Sequence, residues 1–312
     1  MFIGLQQRMD GAGMSFAKPV FMKTTIYGEL VSTSQSNMTP IRAWLMQAAQ
    51  RIDAALGPAR VARSALPPVM NDPGKEGEFC AVQLDDGSVG LAFAILQDTL
   101  PTLHARLPPG VLAGRSALEL VRGYASGDLA ARTIGLATIN ALARRLYDRA
   151  GFVPGDSADS FSVTLARGDR LGLIGHFRPL IREARTLGIP VTVLELRAEL
   201  VREEPGLSVT LDPARLAACN KIVSTSTLLL NDSFEAVRVL WKNAQEVAIV
   251  GPSACGPPDP LFAAGVSAVG TTWVSNAEAL LAHVVAGEKW GDSARKVTFT
   301  PARYPGLDAL LR

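Results

Sequence analysis

Five short stretches carry residues able to hold a ligand. They are Gly175-His176-Phe177, Glu195, Ser224-Thr225-Ser226-Thr227, Gly251-Pro252-Ser253 and Gly270-Thr271-Thr272. Each follows a short apolar run that reads as a strand. Glycine lets a ligand approach backbone N–H groups, hydroxyls donate hydrogen bonds, and a carboxylate accepts them or binds a cation. Such a set fits a pocket for a polar or anionic molecule. Turns and helix caps use the same residue types, and for any one stretch that explanation is the simpler. Five together favour a crevice.

The chemistry of that crevice can be narrowed. Glu195 lies 20 residues after Gly175, where the ribose-binding acid of a dinucleotide site would fall. The glycines do not follow suit. His176, Phe177 and Arg178 crowd the turn where a pyrophosphate must meet bare backbone, which argues against NAD(P). A methyl donor or another nucleoside tolerates a looser turn. No Walker-type phosphate loop occurs. Gly251-Pro252-Ser253-Ala254-Cys255-Gly256 resembles a nucleophile elbow with its second glycine one place late. Ser253 therefore reads as a hydrogen-bond donor or cap before it reads as a nucleophile. The histidines are His104, His176 and His283, and no two have ligand spacing. A soft-metal set of His176, Glu195 and Cys255 is conceivable if their strands are neighbours. A turn histidine and a buried thiol are the plainer reading.

The second half alternates strand and helix. Strands are read at 171–174, 191–194, 222–225, 246–250 and 266–269. Helices are read at 179–187, 212–218, 232–241, 259–264 and 276–286, with Asn231 as a cap. Short apolar strands between helices imply a parallel sheet, and five of them predict the order 3-2-1-4-5. The first half is α+β. Thr39-Pro40 opens a helix whose Ile41, Trp44, Leu45, Ala48, Ile52 and Leu56 share a face. A strand at 61–66 and a hairpin around Asp85-Asp86-Gly87-Ser88 follow. Ser116 and Asp128 cap two further helices. The second carries Gly135-Leu-Ala-Thr-Ile-Asn140-Ala, small residues with one amide, so Asn140 is expected to reach into the crevice.

The predicted organisation is a disordered leader over 1–36, an α+β domain over 37–152, a ligand-binding domain over 158–295 and a tail over 296–312. A net charge of +2 without a basic cluster argues against nucleic acid. No apolar run approaches the ~20 residues of a membrane span. Three cysteines, Cys80, Cys219 and Cys255, read as reduced thiols in a cytoplasmic protein. The apolar helices of the first half suggest a homodimer.

Taken together, these motifs resemble a prokaryotic family described as "putative heavy-metal chelation". The residues that carry the resemblance are Gly175 with Phe177, Leu194-Glu195, Thr225-Ser226-Thr227 leading to Asn231, Gly251-Pro252-Ser253, and Gly135 to Ala141 in the first half. His176 and Cys255 depart from the expected pattern, and residues 1–36 have no counterpart. The resemblance implies a domain like the small domain of enolase, then a Rossmann-like domain, with a site where the two meet. It implies handling or making a small metal-chelating metabolite, pterin-, flavin- or siderophore-like, by condensation or hydrolysis. Glu195 and Asn140 are then the catalytic candidates. Gly175, His176, Phe177, Thr225, Thr227, Asn231, Gly251, Pro252 and Ser253 are the ligand-binding ones. The competing reading is a non-enzymatic protein that chelates a heavy or transition metal, with the metal ligands unassigned.

Overall fold

The computed structural model describes residues 38–69, 79–157 and 161–312. The predicted leader over 1–36 lies outside the described residues. Pro40 at the first helical position starts α1 (Pro40–Leu56), which buries Ile41, Leu45, Ala48, Ala49 and Ile52. An antiparallel sheet of three strands follows: β1 (Val61–Ala65), β2 (Phe79–Leu84) and β3 (Val89–Phe93). The β2–β3 turn uses Gly87 at φ +90°, with Asp86 accepting from the Ser88 N–H at 3.0 Å. Helices α2 (Thr99–Arg106), α3 (Ala117–Arg122) and α4 (Leu129–Arg149) complete the first half. Asp128 caps α4, accepting from Ala130 N–H at 2.8 Å and Ala131 N–H at 3.3 Å.

Helix α4 is buried along most of its length. Its small residues let it lie directly on β3. A Cβ on Gly90 would collide with the Ala137 carbonyl and the Ala141 N–H, so backbone meets backbone there.

The second half is one large sheet. Its strands are β4 (Gly155–Asp156), β5 (Leu171–Ile174), β6 (Val191–Leu194), β7 (Arg202–Glu204), β8 (Leu207–Thr210), β9 (Lys221–Thr225), β10 (Glu246–Val250), β11 (Ala268–Val274) and β12 (Ala294–Phe299). They lie in the order β4-β12-β11-β10-β9-β5-β6-β8-β7. The six from β8 to β11 are mutually parallel; β7, β12 and β4 pair antiparallel. Counted along the chain, the parallel strands lie 3-2-1-4-5-6, and the order reverses between β5 and β9. Helices α5 (Arg178–Thr186), α6 (Phe234–Val237), α7 (Asp259–Ala263), α8 (Ala277–Ala286) and α9 (Leu307–Leu310) connect or flank them.

Three expectations are corrected. The third parallel strand is β8, not 222–225, so β5 neighbours β6 and β9 rather than β10. Residues 296–312 are not a tail: β12 pairs with β11 over six residues, and Phe299, Tyr304 and Leu307 are buried. The helix expected over 232–241 is one α-turn continued as a 3-10 helix, Arg238–Trp241.

The two halves share one apolar core. Ile41, Ile52, Ile139 and Leu142 of the first belong to the same cluster as Leu228, Ile249, Val269 and Phe299 of the second. Buried polar contacts cross the same junction. The Arg42 and Arg132 guanidiniums both hold the Asp232 carboxylate, Arg132 at 2.8 Å. Tyr124 Oη donates to the Leu229 carbonyl at 2.7 Å, and Arg132 donates to that of Leu230 at 2.7 Å. Burial beside a second guanidinium lowers the Arg132 pKa to about 10.

Candidate functional site

The parallel strands end level with one another. Ile174 pairs across from Leu194 and Ser224, and Thr225 from Val250. Gly175, Glu195, Thr225 and Gly251 therefore form a row along the carboxyl edge, where ligands of open parallel sheets bind. Two glycines are required here, Gly175 by its backbone conformation and Gly251 by close approach as well. Gly175 has φ +95°, and a Cβ there would sit 3.4 Å from Thr225 Cγ2. Gly251 has φ +143°, and a Cβ would strike Ser226 Oγ. Thr225 Oγ1 accepts from Thr227 N–H at 3.4 Å and from Thr227 Oγ1 at 3.3 Å. Glu195 is buried, with one carboxylate oxygen accepting from the Leu196 N–H at 3.2 Å. Asn231 accepts from the N–H and hydroxyl of Ser233, a local turn ahead of α6.

A cleft of about 370 Å³ opens beside Gly251 and Pro252. Thr271 and Thr272 of β11 and Arg295 and Lys296 of β12 supply polar groups to its lining. Phe161 and Trp290 supply aromatic surface. Phe161 packs edge-to-face on Phe177, with centroids 5.8 Å apart, which ties that predicted ligand-binding residue to this cleft through its neighbour. Trp290 packs edge-to-face on Phe79 of β2 at 5.6 Å, so the first half supports one wall. Sequence reasoning missed Phe161, Trp290 and β12. Phe161 and Trp290 sit in loops without periodic pattern, and β12 beside them alternates too weakly to stand out as a strand.

Two predicted site residues are taken up by packing instead. Asn140 and Ser253 are both fully enclosed. Asn140 Nδ2 donates to the Leu91 carbonyl at 2.8 Å and the Ser253 carbonyl at 2.9 Å. Ser253 Oγ accepts from the Phe93 N–H at 3.0 Å. Asn140 does reach across from the first half, but it ends on backbone rather than in a cleft.

The soft-metal set is not assembled. Among the described residues no group of three or more His, Cys, Asp and Glu side chains is placed to hold a metal ion. His176 Nε2 lies 3.5 Å from Arg202, and Cys255 sits two strands away from β5, after β10. The three thiols are buried. Enclosure pushes Cys80 up to about 12 and Cys255 to about 11, the latter beside the Thr271 hydroxyl. These enclosed thiols do not come together with other ligating side chains into a protein-built heavy-metal centre among the described residues.

Fold and site thus define a mixed α/β protein, with a small antiparallel sheet, a large parallel-rich sheet and a cleft at the carboxyl edge of the latter. The chain belongs to the family described as "putative heavy-metal chelation": one family model with that description matches residues 77–143 and a second matches residues 158–302. It is 23% identical over 169 residues to an uncharacterized protein of Methanocaldococcus jannaschii. That match covers 53% of this chain and 63% of the relative, less than two thirds of the relative's length. Two solved structures of family members of unknown function share the fold. One, from Pyrococcus horikoshii, has a TM-score of 0.58 at 19% identity, covering 82% of this chain and 99% of its own. The other, from Desulfitobacterium hafniense, has a TM-score of 0.58 at 20% identity, covering 84% and 100%. No helix among the described residues is long and apolar enough to cross a membrane.

Proposed function

We propose that the protein binds a small, planar, polar metabolite able to chelate a metal, in the cleft beside Gly251 and Pro252. The observation that carries this reading is the cleft's lining. Two aromatic side chains, Phe161 and Trp290, line a space that also presents Thr272 of β11 and, on the adjacent β12, Lys296 and Arg295, the last paired with Asp156. Aromatic surface suits a flat ring, while hydroxyls and cations suit the oxygen-rich donors that chelating molecules carry. The metal then arrives held by the small molecule. Direct chelation by the chain is the weaker reading, because its thiols are enclosed. Within this proposal the second half is Rossmann-like and the first resembles the small domain of enolase, each supplying part of the cleft's surroundings. Glu195 does not line the cleft, and the proposal gives it no proton-transfer role; binding rather than turnover is proposed.

Tryptophan emission should report the ligand. Riboflavin, neopterin and ferric 2,3-dihydroxybenzoate are titrated in turn. At least one should quench saturably, and Thr272→Val should weaken it about tenfold, roughly 1.4 kcal/mol. Saturable quenching by none of them would end this reading. Stoichiometric metal bound to protein freed of small molecules would replace it with direct chelation.

A further inference from the structure

A second cleft, of about 410 Å³, lies on the other side of the sheet's reversal, between α5 and the β7–β8 hairpin. Its lining brings together Arg178, Arg182, Arg185, Arg197 and Arg202 with His176, against a single carboxylate, Glu204. Glu204 pairs with Arg185 and, at 2.7 Å, with Arg202. The side chains of Arg178, Arg182 and Arg197 have no ion pair or hydrogen bond among the described residues. The whole chain carries a net charge of only +2, so this is a local concentration rather than part of a basic surface.

The arrangement works against the fold that holds it. Arg178 and Arg182 stand four apart on a nine-residue helix, and Arg182 and Arg185 three apart, so like charges face each other. Arg178 also sits at the helix N-terminus, where the backbone already presents positive charge. Nothing in the packing of α5 requires these cations, since its buried face is Leu180, Ile181 and Ala184. A bound anion would relieve all three repulsions at once. Between the cations the cleft has an apolar floor of Ile181, Leu200 and Leu207. Phosphate on guanidinium forks and carbon on that floor is how a small organic phosphate is held.

We infer that this cleft is a binding site for a small phosphorylated organic molecule, separate from the cleft beside Gly251. Its concave form and the near-neutral chain favour a small ligand over the backbone of a nucleic acid.

Calorimetric titration with phenyl phosphate and with inorganic phosphate, at about 0.15 M salt, tests the inference. Phenyl phosphate should bind saturably and several-fold tighter than inorganic phosphate, because only it uses the apolar floor. Arg182→Gln with Arg197→Gln should weaken phenyl phosphate about tenfold or more, with the unliganded melting temperature unchanged or raised, since both side chains are exposed and unpaired. Thr272→Val, in the other cleft, should leave this binding untouched. Equal affinity for the two probes, equal binding by the double variant, or binding of a duplex oligonucleotide but not of phenyl phosphate would each overturn the inference.

Discussion

Asn140 holds Ser253: its amide nitrogen lies 2.9 Å from the Ser253 carbonyl oxygen, between α4 of the first half and the turn after β10 in the second. The same amide also donates to Leu91 at 2.8 Å, so one side chain closes two buried carbonyls. Asn140→Ala leaves both without a donor and should cost about 2–4 kcal/mol. Asn140→Asp should cost more, because it turns acceptors toward acceptors. Urea unfolding measures both; a loss under about 1 kcal/mol for the alanine variant would mean that the contact does not hold the halves.

Asp232 answers two enclosed guanidiniums, Arg42 and Arg132. Its backbone has φ +62°, a conformation that asparagine tolerates at least as well. Asp232→Asn therefore removes the charge with little change of shape, and should cost about 3–5 kcal/mol as two buried cations lose their counter-ion. Replacing Arg42 and Arg132 by methionine in that background should recover part of the loss, as read from unfolding midpoints.

Gly90 has no room for a methyl group, because β3 rests on the α4 backbone at Ala137 and Ala141. Gly90→Ala must separate strand from helix and should cost at least about 3 kcal/mol. Gly87→Ala, three residues away in an open turn, should cost less, since only its φ of +90° opposes the change. Equal losses in thermal denaturation would contradict the close approach.

Alkaline pH should weaken the fold through the thiols. Cys80 and Cys255 are raised to about 12 and about 11 by enclosure, while the same thiols ionise near 9.0 when unfolded. Above that value the unfolded state has released protons that the folded state keeps, so stability falls as pH rises toward 11. Each thiol contributes a slope of about 1.4 kcal/mol per pH unit in that window. Cys80→Ala, whatever its cost at neutral pH, should make the slope shallower by that amount, measured by urea unfolding at successive pH values.

Much of this architecture was legible from local pattern. The strands 171–174, 191–194 and 246–250 are short apolar runs between turn residues and appear where expected. β8 is Leu-Ser-Val-Thr, alternating and short after Glu-Glu-Pro-Gly, so it carries little apolar signal. Missing it put 222–225 on the wrong side of β5 and set β10 and β11 one place too close to β5, and from that came the expected meeting of His176 and Cys255. β12 reads Ala-Arg-Lys-Val-Thr-Phe, with only Val297 and Phe299 buried, and such a mixed run resembles a tail until its partner strand is known. The arginines of the second cleft are spread over residues 178–202 and meet only through the helical spacing of α5 and the folding back of β7. No linear motif marks them. Asn140 was legible as an amide that crosses between halves, but its target was not, because backbone carbonyls leave no trace in a sequence.

The unbroken core that joins Ile139 and Leu142 to Ile249 and Phe299 has a consequence for the chain as a polymer. A protease cut at the exposed Gly151 or Val153 would sever the connection without separating the parts. The two fragments should stay associated and, made separately, should reconstitute one another by complementation, while either alone would present its half of that core to water and aggregate.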